Sequence, residues 1–217
     1  IQTMPAPKIL IIPGSLRTGS HNVKLAAWAA KELALIDIET SRISLEDYPM
    51  PIFDPDEEIK SGPPQSAVKL KQMMTTHHGI FITTPEHNAS VPAVLKNAID
   101  WVSRVRERGD PSFAAFRNRA FAIASASSET QGGLRGLAAL REILELGCGA
   151  LGGGQVDHLE QPDREIAEAL ALGRAVAAPG DEAGDQQPQQ CRAWIAAGTA
   201  RREHRLFVHG TGWIRHG

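Results

Sequence analysis

Short apolar runs alternate with helix-like segments along most of the chain, and this alternation restricts the possible folds more than any other feature. The runs Lys8–Pro13, Gly79–Thr84 and Arg119–Ala126 have the near-continuous apolar character of strands buried on both faces. Weaker strands are predicted at Ile38–Leu45 and Gln155–His158. Strands that alternate with helices form βαβ units around a parallel sheet. Five such units favour an open, doubly wound sheet over an eight-stranded barrel.

The segments between the strands have the composition and spacing of helices. The clearest is Val91–Val105, whose apolar residues recur at the i, i+3, i+4 and i+7 positions of one face. Ser90 is its predicted N-cap, and Pro92 falls in the first turn, where a missing N–H is tolerated. Trp101 lies off the apolar stripe, which makes it either an exposed interface anchor or a half-buried side chain. Further helices are predicted at Asn22–Leu35, Ser66–Thr76, Leu134–Leu146 and Asp163–Ala177, and a proline-rich surface loop at Glu46–Pro64.

The overall composition excludes several classes of protein. The formal net charge is −2, without the basic surplus of a nucleic-acid binder, and no apolar run is long enough to span a membrane. Cys148 and Cys191 form neither a CxxC nor a zinc pattern and fit a reducing compartment. Residues 1–8 lack the basic and apolar regions of a signal peptide. We therefore expect a cytoplasmic protein that binds neither nucleic acid nor membrane.

The charge is unevenly distributed between two parts of the chain. Residues 1–190 carry 18 basic and 24 acidic side chains, a net of −6, whereas residues 191–217 carry five Arg and one Glu, a net of +4. A polar, turn-rich stretch before residue 191 has the composition of a linker. We expect a domain over residues 1–178, followed by a polar linker and basic tail over 179–217 whose structure the pattern does not predict.

The loop after the first strand is the strongest candidate for a binding site. Ligands of open parallel sheets bind beyond the carboxyl ends of the strands. Gly14–Asn22 leads from a buried strand into a helix, whose N-terminus attracts anions. Hydroxyl, amide and guanidinium donors add to this attraction, so a terminal phosphate is the natural ligand. An ordinary capped helix with solvated polar residues is the alternative, and the loop is neither a P-loop nor a GxGxxG motif. The donors are Ser15, Arg17, Thr18, Ser20 and Asn22.

Two more polar loops follow strands that end at the same edge of the sheet. In Thr83–Pro92, Thr84 precedes proline and is therefore expected to stay extended. The backbone groups of this loop and the Asn88 amide offer alternating donors and acceptors for a flat heterocycle with a uracil-like edge. Ser125–Gly133 consists of small and polar residues that allow close approach to the same ligand.

These loops together resemble the NADPH-dependent FMN reductase family. The first matches its GSxRxxSxN pattern, TPEHNASVPAVLKNAIDWVSR resembles its TPEYNxSxPxxLKNAIDW signature, and SASSETQGGLRG is similar to its third flavin loop. The resemblance covers roughly Lys8 to Leu146. It implies a flavodoxin-like α/β fold, with a doubly wound, five-stranded parallel sheet of order 2-1-3-4-5 and helices on both faces. The expected FMN-binding domain is residues 1–178.

The resemblance also implies roles for individual residues. The first loop would hold the FMN phosphate, and the other two would border the ring and the ribityl chain, mainly through backbone groups. His87 stands where the family usually has Tyr. No catalytic side chain and no metal ligand is implied, because the flavin carries the chemistry by accepting a hydride at N5. The implied cofactor-binding residues are Ser15, Arg17, Ser20, His21, Asn22, Pro85, Glu86, His87, Asn88 and Ser125.

The predicted function is an FMN-dependent oxidoreductase that takes electrons from NADPH or NADH. Its acceptors would be free flavin, quinones or similar small molecules, such as azo dyes and chromate. A flavodoxin-type electron carrier without nicotinamide turnover is the alternative, although the net charge of −6 over residues 1–190 is weak for such carriers. Family members are commonly dimers or tetramers with the flavin near a subunit interface, so a homodimer or homotetramer is expected.

Overall fold

The computed structural model describes residues 7–117, 119–127 and 132–150, and the backbone of 177–178 and 192–197. Five α-helices lie within these ranges, together with a 3₁₀ turn at Leu45–Asp47 and a π-helical turn at Ile143–Gly147. The helices are α1 (His21–Leu35), α2 (Pro55–Ser61), α3 (Gln65–Thr76), α4 (Ala93–Arg104) and α5 (Leu134–Glu142). The strands are β1 (Lys8–Pro13), β2 (Glu39–Arg42), β3 (Gly79–Thr83), β4 (Ala120–Ser127), β5 (Ala177–Ala178) and β6 (Arg192–Ala197).

The first four strands form a parallel sheet in the order β2-β1-β3-β4. Every residue of the central strand β3 is buried, as its continuous apolar sequence predicts. In the register, Phe81 of β3 lies between Ile11 of β1 and Ala122 of β4. The chain crosses from β2 over β1 to β3, and this change of direction opens a crevice beyond the carboxyl ends of β1 and β3. The flavodoxin-like α/β arrangement is confirmed for these four strands.

The fifth position of the predicted strand order is not confirmed. The sequence places the fifth strand at 155–158 and the last helix at 163–177, and residues 151–176 lie outside the described part of the chain. The described neighbour of β4 is β6, which runs antiparallel to it and places Trp194 opposite Ser125. β5 pairs with β6, also antiparallel. The sheet therefore takes a strand from beyond residue 178, and the domain boundary at that residue stays a prediction.

Helices cover both faces of the sheet, as expected. Alternate residues of β1 face opposite sides, because strand side chains alternate. Ile11 packs with Leu25 and Leu33 of α1 on one face. Leu10 and Ile12 belong to a larger cluster with α3, α4 and α5 on the other face. Among the described residues, no helix is long and apolar enough to cross a membrane.

Three local predictions are wrong. Trp101 is fully buried, its Nε1 donates to the Pro51 carbonyl at 2.8 Å, and its ring meets Phe53 edge-on, so it is no exposed interface anchor. Ser90 does not cap α4, whose N-cap residue is Pro92. The predicted loop Glu46–Pro64 contains α2, which begins with a proline and is capped by an upstream aspartate side chain.

Candidate functional site

A cavity of about 370 Å³ lies beyond the carboxyl ends of β1, β3 and β4. No described carboxylate lines it, whereas Arg17 does. Arg17 forms no ion pair with any described residue, so its charge remains available to a ligand. The predicted site residues that line the cavity are Ser15, Arg17, Ser20, His21, Asn22, Pro85 and His87.

Two hydroxyl groups of the loop after β1, on Ser15 and Ser20, line the cavity and are held by backbone N–H groups. Ser20, 2% exposed, is the N-cap of α1, and its Oγ accepts from the Asn22 N–H at 3.2 Å. Ser15 Oγ accepts from the Arg17 N–H at 3.3 Å. Both hydroxyls thus act as acceptors for the backbone, which leaves their protons to donate elsewhere. Because the cavity also meets the N-terminus of α1, this end of it favours an anion.

The Asn22 side chain, which lines the cavity, also has hydrogen-bond partners at the end of β4. It is 1% exposed, and its Oδ1 accepts from the Ala126 N–H at 2.9 Å while its Nδ2 donates to the Ala126 carbonyl, also at 2.9 Å. The amide therefore joins the first loop to the end of β4. Its Oδ1 and one of its two Nδ2 hydrogens are engaged there, which holds the α1 N-terminus in place and leaves the predicted contact with a phosphate a prediction.

Other hydrogen bonds fix the loop after β1 and the loop after β3 to each other. Gly14 N–H donates to the Thr83 carbonyl at 2.6 Å, and the Thr83 hydroxyl donates to the Asn22 carbonyl at 2.8 Å. Thr84, fully buried, donates its N–H to the Ala124 carbonyl at 2.8 Å. These contacts prepare the crevice before any ligand enters.

The loop after β3 contains a tight turn at His87–Ser90. The His87 and Ser90 N–H groups donate to each other's carbonyls, at 2.9 and 3.0 Å. Asn88 and Ala89 between them have φ of 51° and 61°, the pattern of a type I′ turn. Asn tolerates this left-handed region, but alanine does so at a cost. His87 lines the cavity, whereas Asn88 does not.

Two more predicted residues lie outside the cavity wall. The Glu86 carboxylate turns away and contacts the first turn of α5, accepting from the Arg135 side chain at 2.6 Å. Burial raises the pKa of this carboxyl, but hydrogen bonds from Arg135 and Gly136 and the Arg135 charge outweigh it, so the pKa lies below its usual value. Ser125 is fully buried, and its hydroxyl has no hydrogen-bond partner among the described residues.

The hydroxyl of Ser125 lies under the loop that leads into α5. Gly133 has φ of 82°, and a Cβ at this position would overlap with the Ser125 Oγ. Only glycine fits there, because the positive φ is strained for other residues and because a Cβ has no space. The sequence predicts that the small and polar residues of Ser125–Gly133 allow close approach to a ligand. The close approach found in the structure is between Gly133 and Ser125.

The apolar walls of the cavity were not anticipated from the sequence. Leu16, Pro92 and Val94 line it, together with the end of β4. Val94 belongs to the apolar face of α4 in the sequence pattern, which gives no sign that it lies at the edge of a cavity. A donor-rich end beside apolar walls fits a ligand with a terminal phosphate and a flat ring, as in FMN.

A second cavity of about 260 Å³ shares Leu16 and Val94 with the first. The segment after β2 forms its other side, with Glu46, Tyr48 and Met50. Asn97 of α4 holds this segment, since its Oδ1 accepts from Phe53 N–H and its Nδ2 donates to the Pro51 carbonyl, both at 2.8 Å. The sequence marks these residues only as a surface loop.

The sheet order and the anion-attracting crevice define a flavodoxin-like α/β protein that binds a phosphate-bearing cofactor. A flavoenzyme NAD(P)H:(acceptor) oxidoreductase of Paracoccus denitrificans has a similar structure, with a TM-score of 0.56 and 28% identity over 67% of this chain and 74% of that one. A quinone reductase of Escherichia coli is 33% identical over 138 residues, 63% of this chain and 69% of that protein. An NAD(P)H-dependent FMN reductase of Pseudomonas aeruginosa is 31% identical over 193 residues, 87% and 95% of the two chains.

The family model for NADPH-dependent FMN reductases matches residues 7–158, and the chain belongs to this family. It is an oxidoreductase of the FMN reductase and quinone reductase type. FMN and a reduced nicotinamide are its cofactors.

Proposed function

We propose that this protein reduces quinones and free flavins with NADH or NADPH, in a reaction that consumes one quinone, one reduced nicotinamide and one proton and yields a hydroquinone and the oxidised nicotinamide. The bound FMN supplies the chemistry, by accepting a hydride at N5 and passing two electrons to the acceptor. The observation that carries this proposal is the cavity whose donor-rich end at the α1 N-terminus adjoins apolar walls.

The proposed work of the protein is binding and orientation. Ser15, Arg17, Ser20 and His21 hold the phosphate, whereas Pro85 and His87 border the ring. The anion-attracting end explains how a doubly charged phosphate is retained without a metal ion. The absence of any described carboxylate from the lining removes a source of repulsion.

The second cavity is the proposed place for the electron acceptor. It adjoins the first at Leu16 and Val94, so its occupant lies beside the apolar wall of the first cavity. Its apolar wall and its polar side chains, Glu46, Tyr48 and Asn97, suit a small ring with oxygen substituents. Quinones fit this description better than chromate, an oxyanion that Glu46 repels. Azo dyes remain acceptors of the proposed range.

The test measures turnover and flavin binding together. Purified protein reconstituted with FMN is expected to oxidise NADH or NADPH in the presence of a benzoquinone, followed by nicotinamide absorbance. Azo dye, chromate and free FMN are compared as acceptors. Bound flavin without nicotinamide oxidation would favour a flavodoxin-type electron carrier, and no flavin binding would contradict both functions.

The assembly and location of the protein are part of the same proposal. A homodimer or homotetramer that acts on small molecules matches what the family resemblance implies, and the proposed location in the cytoplasm fits the cysteine pattern of the sequence. Light scattering on a size-exclusion column measures the mass of the particle directly. A monomeric mass for the FMN-loaded protein would contradict the oligomer.

A further inference from the structure

Glu86 connects two elements that are far apart in the sequence. Its Oε2 accepts the backbone N–H groups of Arg135 and Gly136 at 3.1 and 3.2 Å, and its Oε1 accepts from the Arg135 guanidinium at 2.6 Å. These N–H groups belong to the first turn of α5, where a helix has no internal partners for them. Gly133, the N-cap residue, has no side chain to satisfy them. Glu86 therefore caps α5 from another loop.

The two backbones also touch at this point. A Cβ at Gly136 would lie 3.2 Å from the Glu86 Cα and 3.3 Å from the Ser90 carbonyl oxygen. Glycine thus lets α5 lie directly on the segment from Glu86 to Ser90. The carboxylate is only 11% exposed, so water screens its charge weakly.

The residues on either side of Glu86 both line the cavity. Pro85 and His87 form part of its wall, and the turn that follows holds Asn88 and Ala89 in left-handed conformations. A turn with alanine at such a position needs outside support to persist. The hydrogen bonds from α5 to Glu86 are next to this turn and supply that support.

We propose that Glu86 is a positioning residue, whose carboxylate holds the His87–Ser90 turn against α5 and thereby fixes the wall of the cavity at Pro85 and His87. Its effect on FMN rests on the proposed function, whereas its effect on the two segments does not. The Glu86 carboxylate acts through its neighbours, since Glu86 is not among the residues that line the cavity.

The first experiment measures amide hydrogen exchange in the 217-residue chain without FMN. Glu86→Ala is expected to speed exchange both at residues 85–90 and at residues 133–138. Faster exchange at 133–138 alone would mean that Glu86 only caps the helix, and would overturn the proposal.

The second experiment measures the FMN dissociation constant by flavin fluorescence. Glu86→Ala is expected to weaken binding by about tenfold, a typical effect of losing charged hydrogen bonds. The matched control is Glu58→Ala. Glu58 is 17% exposed and pairs with an arginine, Arg104, much as Glu86 pairs with Arg135, and neither Glu58 nor Arg104 lines the cavity. The control is expected to change FMN affinity by less than about twofold.

Equal weakening by the two variants, at equal losses of thermal stability, would mean that affinity follows stability and would overturn the proposal. Glu86→Gln keeps an oxygen for the α5 N–H groups and loses the ion pair, so its exchange and affinity are expected to lie between those of wild type and Glu86→Ala. It replaces the alanine variant if that one fails to fold. If wild type binds no FMN, the proposed function fails, and hydrogen exchange alone decides the role of Glu86.

Discussion

The side-chain amide of Asn22 pairs with the backbone of Ala126 through two hydrogen bonds of 2.9 Å, one in each direction. Two backbone groups at the end of β4 are thus satisfied by a side chain from the start of α1. The pairing closes the crevice on one side and fixes the helix N-terminus that faces it.

Replacing Asn22 tests this pairing. Asn22→Ala removes both bonds and leaves two buried backbone groups without partners, which we expect to lower the free energy of unfolding by about 2–4 kcal/mol. Asn22→Asp keeps the acceptor but sets a negative oxygen against the Ala126 carbonyl, so it is expected to be at least as damaging. Urea titrations of the three proteins measure the effect. An aspartate variant as stable as wild type would contradict the pairing.

Arg17 is expected to matter for the cofactor and not for the fold. Its guanidinium pairs with no described residue, so Arg17→Ala should leave the melting temperature of the apoprotein unchanged. If it pairs with the FMN phosphate, its loss weakens binding by about 1.5–3 kcal/mol. Arg108→Ala, at an exposed arginine away from the cavity, is the control. Unchanged FMN affinity in the Arg17 variant would remove this residue from the site.

Removing the buried hydroxyl of Ser125 is expected not to lower the stability of the apoprotein, in contrast to Asn22→Ala. Because it has no described hydrogen-bond partner, Ser125→Ala should leave the stability of the apoprotein unchanged or raise it by about 1 kcal/mol. If the hydroxyl serves bound FMN, the same variant weakens flavin binding. Gly133→Ala is expected to be strongly destabilising at the other side of this contact. Thermal unfolding with and without FMN separates the two effects, and a loss of apoprotein stability in Ser125→Ala would contradict the first.

Stability should fall on acidification, because two paired carboxyls have lowered pKa values. Hydrogen bonds from Lys71 and from the Glu107 N–H, together with the Lys71 charge, outweigh burial and lower the pKa of Asp110, as α5 and Arg135 do for Glu86. Such groups bind fewer protons when folded, so their contribution is complete above the unfolded pKa of about 4 and is lost as the pH falls through the lower folded value. Asp110→Asn should flatten this fall in melting temperature. A profile as steep as that of wild type would contradict the assignment.

Cys148 is expected to be chemically inert. Burial and the nearby negative charge of Asp100, partly offset by Lys96, raise the pKa of its thiol to about 11. The thiolate that reacts with disulfide reagents is therefore scarce at neutral pH. A thiol titration of Cys191→Ser, which leaves Cys148 as the single thiol, should show no reaction before unfolding. Rapid reaction of the folded protein would refute this prediction.

The parts of the fold that could be predicted are those with strong local patterns. The sequence pattern predicts β1, β3 and α4 to within about two residues, because buried parallel strands and an amphipathic helix have distinct periods. The pattern does not predict the burial of Trp101, because the segment that covers this side chain comes from Pro51, fifty residues earlier. A helical period shows which side of α4 faces the sheet, but it cannot show that a loop crosses the other side.

The sequence predicts which loops form the candidate site better than it predicts the partners of their individual side chains. The first loop lies at the cavity as its sequence indicates, and His87 lines the same cavity. The side chains of Asn22 and Glu86 have partners 104 and 49 residues away. Such contacts depend on how three loops meet, and nothing in the spacing of a single loop determines them.

The left-handed alanine at position 89 bears on engineering as well as on binding. In isolated hairpins, Asn-Gly is the pair that adopts this turn most readily, and here the second position holds alanine instead. Ala89→Gly would relieve the local backbone cost, about 1 kcal/mol, without touching the cavity wall. Glycine would also widen the conformations open to the unfolded chain, which offsets part of that gain. A library that varies this one position would therefore adjust the rigidity of the loop separately from the chemistry of the site.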